Sequence, residues 1–389
     1  MRHRVVESLS LVLVVSLLVA CTGNAPAPDP DPDPDSAPDL MRTYQGPGSR
    51  WEAVLGEETF TFTQFPSATA SNAILTVSGT STQNAINLFR TFTVQSVESN
   101  DGPAPVPGDT AVGLEIPGTA LFLRAPGSAT PLVLVDSACP TADAQANWVI
   151  TKPELNPISG GFPGRFDTDG AGAVAYTHAL PSITVRSAGI IDGVLSSGDD
   201  PRETLVFGSA VCANGVVEIS QDVNVFDLYF TASGNVVVKF PDTRGEQIIV
   251  ALPQRSVPVD AAALAGTYSV MVYQGGSATN LANATLVEAE LTFDSNAVAS
   301  MRLIDEVESN TLGANLGTLT GMTLTDDATL ALPHGMVRFT LGGDLTGQVT
   351  CALSTATPKV IACHGFKGTI SDTDPNPWNE PITVIGRSR

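Results

Sequence analysis

Neighbouring carboxylates are the residues of this chain whose types and spacing come closest to acid–base chemistry. They are Glu57/Glu58, Asp199/Asp200, Asp326/Asp327 and the run Asp305, Glu306 and Glu308. A glycosidase needs two such groups facing one cleft, one to protonate the leaving oxygen and one to attack or to activate water. Here "SGDDPRE" and "LTDDATL" have the composition of turns, where carboxylates sit in solvent. A hydrolase with an unmarked carboxylate site is therefore the third of three readings, behind two that need no catalysis. Nucleophilic hydrolysis has less support, because the chain has neither a G-x-S-x-G elbow nor an S-x-x-K pair. His178, His334 and His364 are scattered, and no H-E-x-x-H is present to make a zinc protease. No Gly-rich loop ends in Gly-Lys to cradle phosphate, and no C-x-x-C-H would attach haem. Trp51, Trp148 and Trp378 could stack on sugars, but a large aromatic at a strand edge more often serves the core. The expectation is no catalytic residue, no metal, no cofactor and no turnover.

The elements that would have to position any site are strands. In "TFTFT", Phe60 and Phe62 fall on one face and Thr59, Thr61 and Thr63 on the other. "VEISQDVNV" reads as one alternating strand, with Val217, Ile219, Val223 and Val225 against Glu218, Ser220, Asp222 and Asn224. In "VEAELTF", Val287, Ala289, Leu291 and Phe293 are set against Glu288, Glu290 and Thr292, which are expected in water. Val337, Phe339 and Leu341 alternate in the same way with Arg338 and Thr340. Period two marks half-buried antiparallel strands. Phe166, Phe230 and Phe293 each open a local repeat of aromatic, small turn residues and apolar strand, which reads as three hairpins. The one good helix start is "DAAALAG", where Asp260 caps a single turn that Gly266 ends.

The 389 residues carry 40 acidic and 19 basic side chains, a formal net charge of −21. Such a surface repels phosphate backbones, so no nucleic-acid partner is expected. It also disfavours docking on anionic lipid by charge. With 43% hydrophobic residues and 15% charged, the chain can bury a sizeable core.

Membrane attachment comes from the amino terminus. "MRHR" is a basic n-region, and "LSLVLVVSLLVA" is an apolar h-region too short to span a bilayer comfortably. Leu18-Val19-Ala20-Cys21 then resembles the lipobox of bacterial lipoprotein precursors. The resemblance implies cleavage after residue 20, a diacylated Cys21 thiol and acylation of the new amino group. Because Thr22 follows in place of the Asp associated with inner-membrane retention, it also implies the outer membrane of a diderm bacterium. The Pro/Asp alternation behind Cys21 removes amide donors and repels itself, so residues 21–41 read as a disordered, extended tether.

Four cysteines remain beyond the anchor, an even number in an exported chain, and read as disulfides. Cys351 and Cys363 flank two β-type runs around a Thr/Pro turn centred on Thr357, so they can face each other across a hairpin. Cys139–Cys212 follows by exclusion.

The best boundary is "LPQRSVPVD", with two prolines and no strand period. The expectation is an all-β protein of two antiparallel domains, barrel or sandwich, at residues 42–252 and 261–389, joined by residues 253–260. The first contains an irregular midsection and can itself divide. "VDAAALAGTYSVMVYQ" resembles the opening of lipocalin-like (calycin) barrels, a helical turn followed by Gly266-Thr267-Tyr268. The resemblance implies closure of the barrel end by Tyr268, standing where the family has Trp, against a basic residue of the last strand, Arg387. Two functional readings stay ahead of the hydrolase. One is a membrane-anchored envelope lipoprotein that binds an envelope protein or acts structurally without catalysis. The alternative is a calycin-like barrel holding a small apolar ligand.

Overall fold

The structure is a computed structural model. It describes residues 41–46, 51–66, 70–100, 104–124 and 132–138, then strands between 144 and 253 with residues 231 and 233, and then 258–274, 285–306, 311–323, 336–343, 347–367 and 381–389. Cys21, Cys139, Cys212, Asp199, Asp200, Asp326, Asp327, Glu308, His178, His334 and Trp378 lie outside the described residues, as do residues 1–40 as a whole.

Eight strands form the first closed antiparallel barrel in simple up-and-down order. They are β1 (Arg42–Gln45), β2 (Trp51–Leu55), β3 (Thr59–Gln64), β4 (Leu75–Gln83), β5 (Phe89–Ser99), β6 (Thr110–Ile116), β7 (Ala120–Arg124) and β8 (Leu132–Val135). β1 meets β8 at Gln45 and Val135 to close the circle. The inward phase is the one the alternation predicts: Phe60, Phe62 and Phe92 meet inside, with ring centroids 4.8–5.4 Å apart. Val77, Val94, Leu121, Leu123 and Leu134 join them in one buried cluster. Gly79 stands at the β4–β5 bulge, where a Cβ would come within 2.0 Å of the Thr93 oxygen. Only glycine permits the bend there.

The chain then leaves the barrel for two open antiparallel sheets and a small hairpin. Their strands are β9 (Ala144–Ala146), β10 (Trp148–Thr151), β11 (Asp167–Thr168), β12 (Val174–Ala175), β13 (Ser182–Val185), β14 (Ile190–Ser196), β15 (Thr204–Val211), β16 (Val216–Gln221), β17 (Asn224–Phe230), β18 (Val236–Asp242) and β19 (Gly245–Pro253). One sheet has the order β10-β19-β18-β17-β16, and the other β15-β14-β13-β9. The stretch expected to be a single strand, "VEISQDVNV", is a hairpin instead, with Gln221 opposite Asn224. A two-residue connection reverses the phase, so Ile219 is registered opposite Phe226 and Val225 opposite Ser220. Alternation alone does not reveal such a short turn. The three repeats that open at Phe166, Phe230 and Phe293 do form hairpins.

Asp260 accepts from the Ala263 amide at 2.7 Å and starts the single turn α1 (Ala261–Leu264). Gly266 follows at φ +130°, a left-handed value that an L side chain resists. The second closed barrel comprises β20 (Gly266–Gln274), β21 (Thr285–Phe293), β22 (Ala299–Glu306), β23 (Thr311–Thr323), β24 (Met336–Gly342), β25 (Gly347–Leu353), β26 (Val360–Lys367) and β27 (Pro381–Ser388). Its first and last strands pair from Tyr268↔Ser388 to Gln274↔Ile382. Tyr268, Phe293 and Phe339 stack through its interior at 5.9 and 5.5 Å. Ala289, Leu291, Val337, Leu341 and Val349 pack around them. Cys351 and Cys363 are cross-strand partners joined by a disulfide.

The two barrels also share a core made by their outer faces. Phe89, Leu114, Ile116, Phe122 and Val135 of the first lie in one buried cluster with Met271, Tyr273, Leu286, Ile304 and Ile385 of the second. This corrects one expectation. Glu288 does point away from its own barrel interior, but it is buried, and Arg124 of the first barrel grips it bidentately at 2.5 and 2.9 Å.

Candidate functional site

The most concentrated polar chemistry among the described residues lies inside the first barrel. β6 alternates Leu114 and Ile116 outward into the shared core, which turns Glu115 inward beside Leu121. β5 does the same: Phe89 faces outward, so Arg90 falls in phase with the inward Phe92. From β1, Arg42 and Tyr44 share the inward phase. The Glu115 carboxylate accepts from the Tyr44 hydroxyl at 2.5 Å and pairs with Arg42 at 2.9 Å and with Arg90 at 3.6 Å. The Arg90 Nη1 donates to the Ser81 hydroxyl at 2.8 Å and to the Glu57 main-chain oxygen at 2.9 Å.

Burial and charge set the protonation of this group. Desolvation, followed by the Glu115 charge and hydrogen bond, pushes the Tyr44 phenol far above its ordinary value. Tyr44 is therefore a fixed donor and not a base. Burial lowers Arg90 from the usual guanidinium value, and the Glu115 charge opposes that shift. Asp136, just past β8, is raised chiefly by desolvation and next by the Glu115 charge. The result is a buried carboxylate that accepts a hydrogen bond from the Tyr44 phenol and is ion-paired with Arg42 and Arg90. It can hold one end of the barrel in register. Among the described residues, no three His, Cys, Asp or Glu side chains gather as a metal site would require.

The structure separates the two residues expected to close the second barrel. Tyr268 points inward and donates to the Leu264 oxygen of α1 at 2.9 Å. Arg387 is the cross-strand partner of Ser269, not of Tyr268, and so takes the outward phase. Its guanidinium leaves the barrel and donates to the Glu115 main-chain oxygen at 3.1 Å. The basic side chain at the Tyr268 end is Lys359, whose ammonium donates to the Ala263 oxygen at 2.5 Å. Of the carboxylate pairs, Glu57 and Glu58 occupy the exposed turn between β2 and β3, and Asp305 and Glu306 end β22. Trp51 is half-buried against the first barrel's interior, and His364 lies on β26 opposite Thr350 and Thr383. Arg42, Tyr44, Arg90 and Glu115 were not singled out from the sequence. The readable sign was Arg90, a charge set in phase with Phe92 and Val94.

Fold and site together define a protein of two closed eight-stranded antiparallel barrels that share a core. No protein-family model matches the chain, and neither does any curated protein. Among solved structures it is similar to a protein of unknown function of the DUF3598 family from Nostoc punctiforme, at 12% identity over 64% of this chain and 95% of that one, with TM-score 0.24. It is similar to a candidate outer membrane protein from Bacteroides fragilis, at 13% identity over 64% and 97%, with TM-score 0.19. A third is isotype 1 transferrin binding protein B from serogroup B Neisseria meningitidis, at 12% identity over 87% and 65%, with TM-score 0.20.

Proposed function

We propose that this chain is a lipid-anchored envelope protein that works as a non-catalytic binding or structural module, presenting its outer surfaces and not its barrel interiors. The observation that carries the reading is the packing inside both barrels. Phe60, Phe62 and Phe92 meet within the first, and Tyr268, Phe293 and Phe339 within the second. A receptor for a small apolar molecule needs an unfilled volume of about 300 Å³ or more, and rings that meet across the interior leave less room for one. The lipobox-like junction at Cys21 supports attachment to a membrane, and the Pro/Asp tether supports presentation away from it. Several acyl chains, at about 0.8 kcal/mol per buried methylene, make such an anchor lasting. The proposed partner is another envelope component met at the surface.

Native mass spectrometry of the chain extracted from membranes in mild detergent tests this reading. The expected species carries acyl chains covalently on Cys21 and nothing else. An apolar molecule that co-purifies without a covalent bond would favour the receptor. A water-soluble chain with an unmodified Cys21 would remove the anchor.

A further inference from the structure

We propose that residues 387–389, Arg-Ser-Arg, form a clasp that makes docking of the two barrels conditional on closure of the second. Each of the three is tied, and to different elements. The Ser388 amide donates to the Lys359 oxygen at 2.8 Å, and its hydroxyl accepts from the Lys359 amide at 3.0 Å. These bonds fix β27 against the β25–β26 turn. The Arg389 amide donates to the Thr267 oxygen at 3.0 Å, which extends the β27–β20 seam by one bond. Its guanidinium pairs with Glu290 at 2.7 Å, both side chains being mostly buried, and donates to the Ser269 hydroxyl at 3.1 Å.

Ser269 is the hinge of the arrangement. It is fully buried, and its hydroxyl donates to the main-chain oxygen of Asn87 in the first barrel. Arg387, registered opposite Ser269, reaches the Glu115 oxygen of the same barrel. Asn87 and Glu115 flank the place where β5 begins beside β6, so the two contacts grip one end of the first barrel. The Arg387 contact requires β27 in place beside β20, and the Ser269 hydroxyl that reaches Asn87 is itself held from the end of β27 by Arg389. The β27–β20 pairing sets Arg387 directly opposite Ser269 and Arg389 diagonally beside it, all three in the outward phase. Gly386 permits the approach: a Cβ there would lie 2.1 Å from the Ser269 oxygen and 2.8 Å from the Val270 Cα.

Native-state hydrogen exchange on the full chain tests the clasp, because it reads opening segment by segment. In Arg387→Gln/Arg389→Gln the second barrel keeps its β20–β27 main-chain bonds and stays protected. Amides of residues 84–90 and 114–119 in the first barrel then exchange faster by tenfold or more. Arg302→Gln, an exposed guanidinium of the second barrel that bonds the Gly313 oxygen, leaves those segments unchanged. A loss of protection confined to β20 and β27, or an equal loss in Arg302→Gln, overturns the proposal. If the double variant fails to fold, Ser269→Ala removes only the Asn87 and Arg389 contacts and is read at the same segments. Unchanged exchange at residues 84–90 in that variant also overturns it.

Discussion

Arg124, at the end of β7, holds Glu288 of β21 bidentately across the two barrels, with Glu288 almost wholly buried and Arg124 about one-third exposed. The pair sits at the edge of an apolar seam, so its value lies in what happens when one partner is lost. Removing the guanidinium leaves a carboxylate buried with no counter-charge. Arg124→Ala is expected to cost about 3 kcal/mol, the low end for a broken buried pair because Arg124 is partly hydrated. Arg124→Met combined with Glu288→Leu should recover most of that loss, since apolar groups of similar volume suit the seam. Urea unfolding midpoints at unchanged m-value are the measurement.

Asp136 carries a pH signature whose sign is set by its environment. Burial, and next the Glu115 charge, raise its folded-state pKa above the ordinary carboxylate value. The folded state then binds the proton more tightly than the unfolded one, so stability falls as pH rises through the window between the two values. Asp136→Asn removes the ionised form. The variant is expected to match the wild type at acid pH and to be more stable above the carboxylate range. A parallel pair of stability–pH curves would contradict this.

The disulfide in the β25–β26 hairpin closes a short loop, its cysteines 12 positions apart. Loop entropy assigns it about 2–3 kcal/mol. Cys351→Ala/Cys363→Ala is expected to lose that amount and keep the fold, because both half-cystines lie in a packed interior that accepts small apolar side chains. Non-reducing peptide mapping should recover 351 linked to 363 and, on the exclusion argument, 139 linked to 212.

How far the sequence could be read depends on what each element faces. "TFTFT" and Val337, Phe339 and Leu341 have one apolar face and one polar face, so period two placed them correctly on the barrel interiors. Glu288 and Glu290 obey the same period yet are not in open water, because Arg124 of the other barrel covers Glu288 and Arg389, just past the last strand, covers Glu290. A single strand's alternation does not record what covers its polar side. Tyr268 was legible as an inward aromatic, whereas the phase of Arg387 depends on how the last strand registers against the first, which no local pattern fixes. The interior charges split similarly. Arg90 is visible once it is seen in phase with Phe92, while Glu115 shares its phase in β6 with Gly113 and carries no such sign.

The packed interiors are tested most directly by titrating a fluorescent fatty-acid probe into the full chain, because the second barrel alone would expose Met271, Tyr273 and Ile385 at its seam. Rings stacked through both barrels predict only weak, non-saturating signal that natural lipids fail to compete. Saturable micromolar binding that natural lipids displace would contradict the filled barrels and make one of them a receptor.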